Sequence, residues 1–333
     1  MIIVQGVFRS GTTLLFRTLR RAPRLRCYYE PLHPDLLDHV DEAHSDAPSH
    51  RKSSLYSEYA ALNGHLRRRF DPRLCGKRSV VVNGGEGCPQ LRAYLNLLAA
   101  SKTNRANGGG RVVLQFNRAF WMARWLRSQF PDTCFLHVVR DPRSVVWSQL
   151  TTSSCRRVRM DWPLLGRRFF NVSSGDLTNV FSPHAYHGVY QIKHYLELGR
   201  AELKHGSDPA CRYAHEILAS AEDKRPYVQA LALWGAQVWV CHHHARAAYG
   251  DRYALIRYED FVRDPCSSLE ALFDRAGTSV PDAARQFASE SVRPKRVARW
   301  SSVPTATEHF REGIRRAGIQ DVLDTVGYAL SEP

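Results

Sequence analysis

Two glycines near the start of the chain frame a loop that could bind an anion. Residues 6–13 read GVFRSGTT, follow an apolar run and precede a helical pattern. Backbone N–H groups at the start of a helix point outward, and the helix dipole favours a negative group there. The spacing matches the G-x-x-x-x-G of a Walker A loop, but Thr12 stands where that motif has lysine. The positive charge lies inside the loop instead, as Arg9, so the segment predicts a phosphate-binding loop without the usual lysine.

A second junction between a strand and a helix carries an arginine suited to a phosphate. Residues 134–150 read CFLHVVRDPRSVVWSQL, in which an apolar strand pattern ends just before Arg140 and a helix follows. Ligands of open α/β sheets bind at the carboxyl ends of the strands, which is where Arg140 stands. Its guanidinium offers a rigid fork of donors to a phosphate, and Ser148 adds a neutral donor two helical turns on. The alternative for Arg140 is a surface ion pair with Asp141 or Asp260.

The two strand–helix junctions can bind one ligand only if a parallel sheet places them at the same edge. Short apolar runs predict buried parallel strands at residues 2–7, 25–29, 112–116, 135–139 and 253–256. Helical patterns alternate with them at residues 12–20, 89–100, 119–130, 142–150 and 225–249. Apolar strands that alternate with helices predict an α/β fold, in which a parallel sheet like that of P-loop proteins has helices on both faces.

The length of 333 residues suits one α/β domain that carries insertions. Residues 41–54, 103–110 and 151–185 lack clear periodicity, which predicts irregular segments. The region 151–225 lies between sheet elements and is the candidate for an acceptor-binding cap. Because no internal repeat and no linker is evident, residues 1–333 are predicted to form a single domain with helical and loop insertions.

The two junctions together resemble the motifs of the PAPS-dependent sulfotransferases, where PAPS is 3′-phosphoadenosine-5′-phosphosulfate. In carbohydrate and bacterial members the 5′-phosphosulfate loop reads R-[ST]-G-[ST]-[ST], which is similar to RSGTT at residues 9–13. The 3′-phosphate motif of the family has an arginine and a serine eight residues apart, as Arg140 and Ser148 are. Supporting resemblances are YEPL at residues 29–32, RYED at 257–260 followed by Asp264 and Pro265, and RPKRVARW at 293–300.

The resemblance implies roles for individual residues. Donor-binding residues would be Arg9, Ser10, Gly11, Thr12 and Thr13 for the 5′-phosphosulfate, and Arg140, Ser148 and Arg296 for the 3′-phosphate. Arg9 would also stabilise the charge that develops on the departing phosphate and the sulfuryl oxygens. Glu30, just after the second predicted strand, is the first choice as general base, and His33 is the second. A salt bridge to an arginine is the structural alternative for Glu30.

Two departures from the family pattern indicate which branch of the sulfotransferases this chain resembles. Cytosolic members have a tryptophan after the first loop, where this chain has Leu14 and Leu15. Their catalytic histidine segment is not evident either, since the corresponding residues 114–118 read LQFNR. Both differences favour the branch of carbohydrate and bacterial sulfotransferases, in which a glutamate is the candidate base.

Composition and charge narrow the class of partner. The formal net charge of +15 suits anionic partners such as acidic glycans and phosphorylated cofactors. Nucleic acid is not expected, because the sequence has no RNP-like motif, zinc finger or basic element interleaved with aromatics. The resemblance implies PAPS as donor, PAP (3′-phosphoadenosine 5′-phosphate) as product, no metal, and an acceptor with a free hydroxyl, most simply on a carbohydrate.

Localisation and redox context are read from what the sequence lacks. There is no signal-peptide pattern and no apolar stretch of the roughly 18–20 residues that a spanning helix needs. A soluble, cytoplasmic protein is therefore expected, with a luminal domain trimmed of its anchor as the alternative. The eight cysteines show no C-x-x-C spacing, which argues against a zinc or redox motif.

Two other functions are compatible with these patterns. A P-loop kinase or NTPase that has lost its lysine would share the loop and the sheet. A degenerate sulfotransferase that binds ligands without catalysis would keep both motifs. Oligomeric state and the identity of the acceptor are not encoded in any pattern found here.

Overall fold

The secondary structure is known from a computed structural model, which describes residues 1–43, 53–72, 88–100, 110–151, 157–162, 166–171, 189–204, 206–221, 225–275, 277, 279–292, 299–302 and 305–329. Its strands are β1 (Ile2–Gln5), β2 (Leu25–Tyr29), β3 (Arg111–Phe116), β4 (Cys134–Val139), β5 (Arg157–Trp162), β6 (Gly166–Asn171) and β7 (Tyr253–Arg257). Its helices are α1 (Thr12–Leu19), α2 (Leu36–Ala43), α3 (Asn63–Arg69), α4 (Pro89–Ala99), α5 (Ala123–Gln129), α6 (Pro142–Thr151), α7 (Val189–Leu203), α8 (Pro209–Ser220), α9 (Pro226–Tyr249), α10 (Tyr258–Arg263), α11 (Pro265–Arg275), α12 (Asp282–Ser291), α13 (Ala306–Ala317) and α14 (Gln320–Val326).

The chain divides into two compact units. Unit 1 comprises Met1–Val139 and Cys241–Pro294, and unit 2 comprises Arg140–Val240 and Lys295–Pro333. Each unit therefore contains two separate segments of the sequence. The prediction of one domain with an acceptor-binding cap at 151–225 stays a prediction.

Unit 1 contains a parallel sheet with the strand order β2-β3-β1-β4-β7. All residues of β1 and β4 are buried, as expected for central strands covered by helices. The predicted α/β fold, a parallel sheet flanked by helices, is confirmed. The five predicted strands are all present, and β1 ends two residues early because the loop begins at Gly6.

The register places the carboxyl ends of three strands side by side. Gln5 in β1 pairs with Phe116 in β3, and Tyr29 in β2 pairs with Gln115. Because the strands are parallel, the residues that follow β1, β2 and β3 leave the sheet at one edge. The loop after β1, Glu30 after β2 and Asn117 after β3 are therefore neighbours.

One predicted helix begins later than its sequence pattern suggested. The helical pattern at 119–130 forms α5 only from Ala123, after a turn in which Met122 N–H donates to Ala119 O at 3.0 Å. The N–H of Ala119 donates instead to the Gln5 side chain, at 3.1 Å from Oε1. That bond fixes the turn to β1, so the helix starts only after it.

In unit 2 the segment predicted to be irregular at 151–185 contains an antiparallel hairpin. β5 pairs with β6 in a register that joins Arg157 to Asn171 and Trp162 to Gly166. The prediction was wrong there, because RVRMDW at 157–162 alternates polar and apolar residues, a strand signal that was overlooked. Most of the other two irregular stretches lies outside the described residues. No helix in the described ranges is long and apolar enough to cross a membrane.

Two buried histidines in unit 1 share one tyrosine hydroxyl. The Tyr253 oxygen lies 3.2 Å from Nδ1 of His137 and 2.8 Å from Nδ1 of His242. Burial lowers the pKa of His137 to about 3 and that of His242 to about 4. Both rings are therefore neutral in the folded protein at neutral pH.

This cluster predicts loss of stability in mild acid. The unfolded chain takes up a proton at His137 below its ordinary pKa of 6.5, whereas the folded chain resists protonation until about pH 3. The free energy of unfolding should therefore fall as pH falls through this window, by about 2 kcal/mol from His137 between about pH 7 and pH 5. Urea unfolding at these pH values measures the free energy of unfolding.

The control for the acid prediction is His65→Gln, which changes an exposed histidine on α3 and should leave the pH dependence unchanged. His137→Gln should flatten it. An equally steep loss of stability in His137→Gln and in the wild type would contradict the assignment to this cluster.

Candidate active site

The loop between β1 and α1 has the geometry of an anion-binding turn. After β1 the chain turns at Arg9, whose φ of 73° lies in the left-handed region. The N–H of Ser10 donates to Val7 O at 3.0 Å and closes this turn. Gly11 also has a positive φ, 95°, and α1 begins directly after it at Thr12. The exposed Arg9 side chain therefore stands at the apex of a tight turn that leads into a helix N-terminus.

The start of α1 leaves polar hydrogens available to a ligand. Among the described residues, the N–H groups of Gly11, Thr12 and Thr13 donate to no protein carbonyl, as is usual for a first helical turn. The Ser10 hydroxyl is fully buried and has no hydrogen-bond partner in the described part of the chain. Such a buried polar group costs about 1–3 kcal/mol, a cost that an accepting anion would relieve. The loop therefore has the donors of a phosphate or sulfate site.

Two glycines of the loop are required by close contacts. A Cβ at Gly6 would lie 2.5 Å from Ser10 Oγ and 2.5 Å from Val138 O. A Cβ at Gly11 would overlap the aromatic ring of Tyr258, the first residue of α10. The loop can pass this close to its neighbours only because both positions lack a side chain.

We expect Gly11→Ala to disrupt the loop. Alanine would meet the Tyr258 ring and would also be held at a φ of 95°, so the stability should fall by about 1–3 kcal/mol. Affinity for PAP should fall at least about tenfold, because the N–H groups beside the new methyl would shift. Thermal unfolding and isothermal titration calorimetry measure the two effects.

Gly250→Ala is the matched control, since Gly250 has a φ of 53° and no atom within 4 Å of an added Cβ. This variant has the strain of a positive φ but no steric clash with a neighbouring side chain. The double variant Gly11→Ala/Tyr258→Ala should recover part of the lost PAP affinity. Equal behaviour of the two alanine variants would show that the Tyr258 contact has no role.

Glu30 forms a buried ion pair at the end of β2. Its carboxylate Oε2 accepts from Arg118 Nη1, and the two side chains are 7% and 10% exposed. The Arg118 guanidinium also lies 4.8 Å from the ring centre of Phe8 in the loop after β1. Glu30 itself has a φ of 41°, an uncommon conformation for a residue with a side chain. Backbone strain of this kind clusters at functional sites.

A hydrogen-bonded chain of side chains joins Glu30 to the loop. Asn117 Nδ2 donates to Glu30 Oε1 at 2.6 Å, and Thr12 Oγ1 donates to Asn117 Oδ1 at 2.8 Å. The hydroxyl hydrogen of Thr12 is therefore used within the protein. Thr12 has only its backbone N–H left to donate to a ligand.

The Thr13 hydroxyl also contacts a neighbour, Tyr29, with 2.9 Å between the two oxygens. Burial, reinforced by the nearby Glu30 carboxylate, raises the pKa of Tyr29 to about 12. Tyr29 is therefore a neutral hydroxyl near pH 7 and is unsuited to act as a base.

His33, the second candidate base, lies in a turn whose backbone N–H donates to Glu30 O at 2.9 Å. Its Nδ1 accepts the N–H of Asp35 at 3.1 Å. A neutral imidazole has one acceptor nitrogen, and this bond occupies it. The observed conformation thus favours Glu30 over His33 as a base.

In unit 2, Arg140 lies two residues before the start of α6 at Pro142 and Ser148 lies two turns into that helix, and both are partly exposed. Asp141 Oδ1 accepts the N–H of Arg143 at 2.8 Å, which supports the predicted start of the helix. The Arg143 guanidinium pairs with the same carboxylate at 2.6 Å. Arg296 lies outside the described residues.

Comparison with known protein families decides the class of the protein. The sequence model of the sulfotransferase family matches residues 2–166, a span that includes the RSGTT loop, Glu30, Arg140 and Ser148. The chain belongs to the sulfotransferase family. It is a sulfotransferase enzyme, and members of the family generally use PAPS as the donor.

Solved structures similar to this sulfotransferase include two biosynthetic domains and a mycobacterial enzyme. The sulfotransferase domain of the Synechococcus PCC 7002 olefin synthase is 17% identical at a TM-score of 0.48, with 99% of this chain and 94% of that chain covered. The sulfotransferase domain from the curacin biosynthetic pathway is 13% identical at 0.49, with 99% and 98% covered. STF9 from Mycobacterium avium is 14% identical at 0.44, with 100% and 78% covered. Among curated proteins no match is found.

The loop of this sulfotransferase fits the phosphosulfate end of PAPS. The buried Ser10 hydroxyl, the open N–H groups of α1 and the two glycines that allow close approach are all suited to a tetrahedral anion. When bound, PAPS would supply the sulfuryl group that is transferred. The individual contacts with PAPS stay predictions.

Three residues of the sulfotransferase site were missed or misjudged from the sequence. Neither Asn117 nor Arg118 was assigned as a partner of Glu30, which both residues contact. The contact of Tyr258 with Gly11 was also unforeseen. All three follow the ends of predicted parallel strands, so their position at the carboxyl edge was a usable signal.

Proposed function

We propose that this sulfotransferase transfers a sulfuryl group from PAPS to a hydroxyl of a carbohydrate. The single observation that carries the donor half is the Ser10 hydroxyl, buried without a partner in the described part of the chain, beside the open N–H groups of α1. Unsatisfied donors at the start of a helix favour a bound anion. The family supplies the chemistry that the anion undergoes.

The chain's own groups in this proposal stabilise charge and set geometry. Arg9 and the N–H groups of Gly11, Thr12 and Thr13 would donate to the phosphate and sulfuryl oxygens, where negative charge grows during displacement. Arg140 and Ser148 are the predicted contacts of the 3′-phosphate on the sequence resemblance alone. Donors on the protein take the part that a cation has in P-loop NTPases.

Glu30 is the proposed base. Its side chain pairs with Arg118 and is held at the end of β2. Each carboxylate oxygen has two acceptor positions, and Asn117 and Arg118 each use one of them. One lone pair is left on each oxygen, and one of these receives the proton of the acceptor hydroxyl as the hydroxyl oxygen attacks sulfur.

A carbohydrate acceptor is supported by two features of the sequence. The segment YEPL at 29–32 resembles that of carbohydrate sulfotransferases, and the net charge of +15 suits an anionic glycan. The cytoplasmic location also stays a prediction.

The experiment is binding followed by transfer. PAP should raise the melting temperature more than ATP with Mg²⁺ does, and radiolabelled PAPS should then label members of a panel of glycans and small alcohols. Stabilisation by ATP with Mg²⁺ alone would exclude PAPS as the donor. PAP binding without transfer to any panel member would favour a degenerate binding protein, and transfer only to non-carbohydrate alcohols would exclude the carbohydrate acceptor.

A further inference from the structure

Asn117 stands at the centre of the hydrogen-bonded chain described above. It follows β3 directly and is 5% exposed. Its Oδ1 accepts from Thr12 Oγ1 at 2.8 Å and from Gln115 Nε2 at 3.0 Å, while its Nδ2 donates to Glu30 Oε1 at 2.6 Å. One side chain therefore contacts both the first residue of α1 and the proposed base.

The network permits one orientation of the Asn117 amide. If the amide were flipped, its nitrogen would face the Gln115 nitrogen, and its oxygen would face the Glu30 carboxylate. Both contacts would be between groups of the same kind, donor with donor and acceptor with acceptor. The neighbours therefore determine the orientation of the amide, because the flipped amide would form a hydrogen bond with neither Gln115 nor Glu30.

The positions of the partners give this orientation a consequence for the reaction. Thr12 is the first residue of α1, the helix whose first N–H groups the proposed function assigns to PAPS, and Glu30 follows β2, the strand at the edge of the sheet. β3 lies between β2 and β1, so Asn117 spans the distance between the two functional groups. Aspartate would lack the donor, and alanine would lack both groups.

We propose that Asn117 is a positioning residue that fixes Glu30 relative to the donor-binding turn. The inference rests on the proposed function, in which α1 binds PAPS and Glu30 receives the acceptor proton. Asn117 acts through these two groups. Its hydrogen bonds to Thr12 and to Glu30 can be broken separately, and this allows a test that a general loss of stability cannot imitate.

The first part of the test measures PAP binding and needs no acceptor. Thr12→Val removes only the bond between Thr12 and Asn117, and Asn117→Ala removes all three bonds of the Asn117 side chain. Each variant should raise the dissociation constant of PAP by about 3- to 10-fold. The dissociation constant of the double variant should be no higher than that of the more affected single variant. Effects that multiply in the double variant would overturn the proposed link to the loop.

The second part measures the pH dependence of transfer in Asn117→Asp, which has the same shape as the wild type. Thr12 can still donate to the aspartate, so PAP affinity should stay within about twofold. The new carboxylate faces Glu30, and like charges disfavour ionisation, so the acid limb of kcat/KM should move up by about one pH unit or more. Asn96→Asp, an exposed change on α4, is the matched control and should leave the limb unmoved.

The two parts separate this proposal from the proposed function. If the wild type fails to bind PAP, or if Glu30→Gln keeps its kcat, the proposed function is wrong and the positioning role falls with it. If both of those hold but Asn117→Asp merely lowers kcat without moving the acid limb, only the positioning role is overturned. Should Asn117→Ala lose its cooperative unfolding transition, Asn117→Ser replaces it in the binding cycle with the same expected pattern.

Discussion

Glu30→Gln is expected to lower kcat by about 10²–10⁴-fold, because glutamine cannot take the proton of the attacking hydroxyl. The affinity for PAP should change little, since Glu30 is linked to the loop only indirectly among the described residues, through Asn117 and through the contact of Arg118 with Phe8. Initial rates of transfer from labelled PAPS, combined with calorimetric PAP binding, measure both quantities.

The ion pair with Arg118 makes a stability control necessary. Removing one partner of a buried pair destabilises a protein by about 3–5 kcal/mol, so Glu30→Gln will also lower the melting temperature. Arg118→Gln breaks the same pair but keeps the carboxylate. Assayed well below both melting temperatures, it should retain far more activity than Glu30→Gln. If the two variants lost activity equally, Glu30 would have a structural role and would not be the base.

Arg9→Ala is expected to lower kcat by about 10²–10³-fold, the usual effect of removing one donor from a site where charge develops. The side chain is exposed, so stability should change by no more than about 0.5 kcal/mol. Transfer rates at saturating PAPS, together with urea unfolding, give the two numbers.

Arg17→Ala is the matched control for Arg9→Ala, because it removes an equal charge from an exposed position on α1. Its transfer rate should stay near that of the wild type. If the two arginine variants lost activity equally, the effect would come from the net charge and not from a contact at the loop.

Much of unit 1 could be predicted because its signals are local. The strands are short apolar runs that are buried in the sheet, and the loop after β1 is recognised by glycines at a junction between a strand and a helix. The hairpin in unit 2 was within reach of the same method, since its first strand alternates polar and apolar residues.

The partners of the site residues could not be predicted in the same way. Glu30 and Arg118 are 88 residues apart in the chain, and Thr12 and Asn117 are 105 apart. The chain contains 47 lysines and arginines, and nothing near Glu30 indicates which of them would pair with it.

The amino-acid order alone was enough for the parallel strands, the anion-binding turn and the general class of chemistry, because each depends on residues that are close in the chain. The contacts among the site residues depend on the strand order β2-β3-β1, which only the tertiary structure shows. It brings the ends of three distant strands together, and the exclusion of water at that edge makes Asn117 and Arg118 satisfy Glu30 and Thr12. Contacts of this kind arise from burial and topology, which no short pattern of residues records.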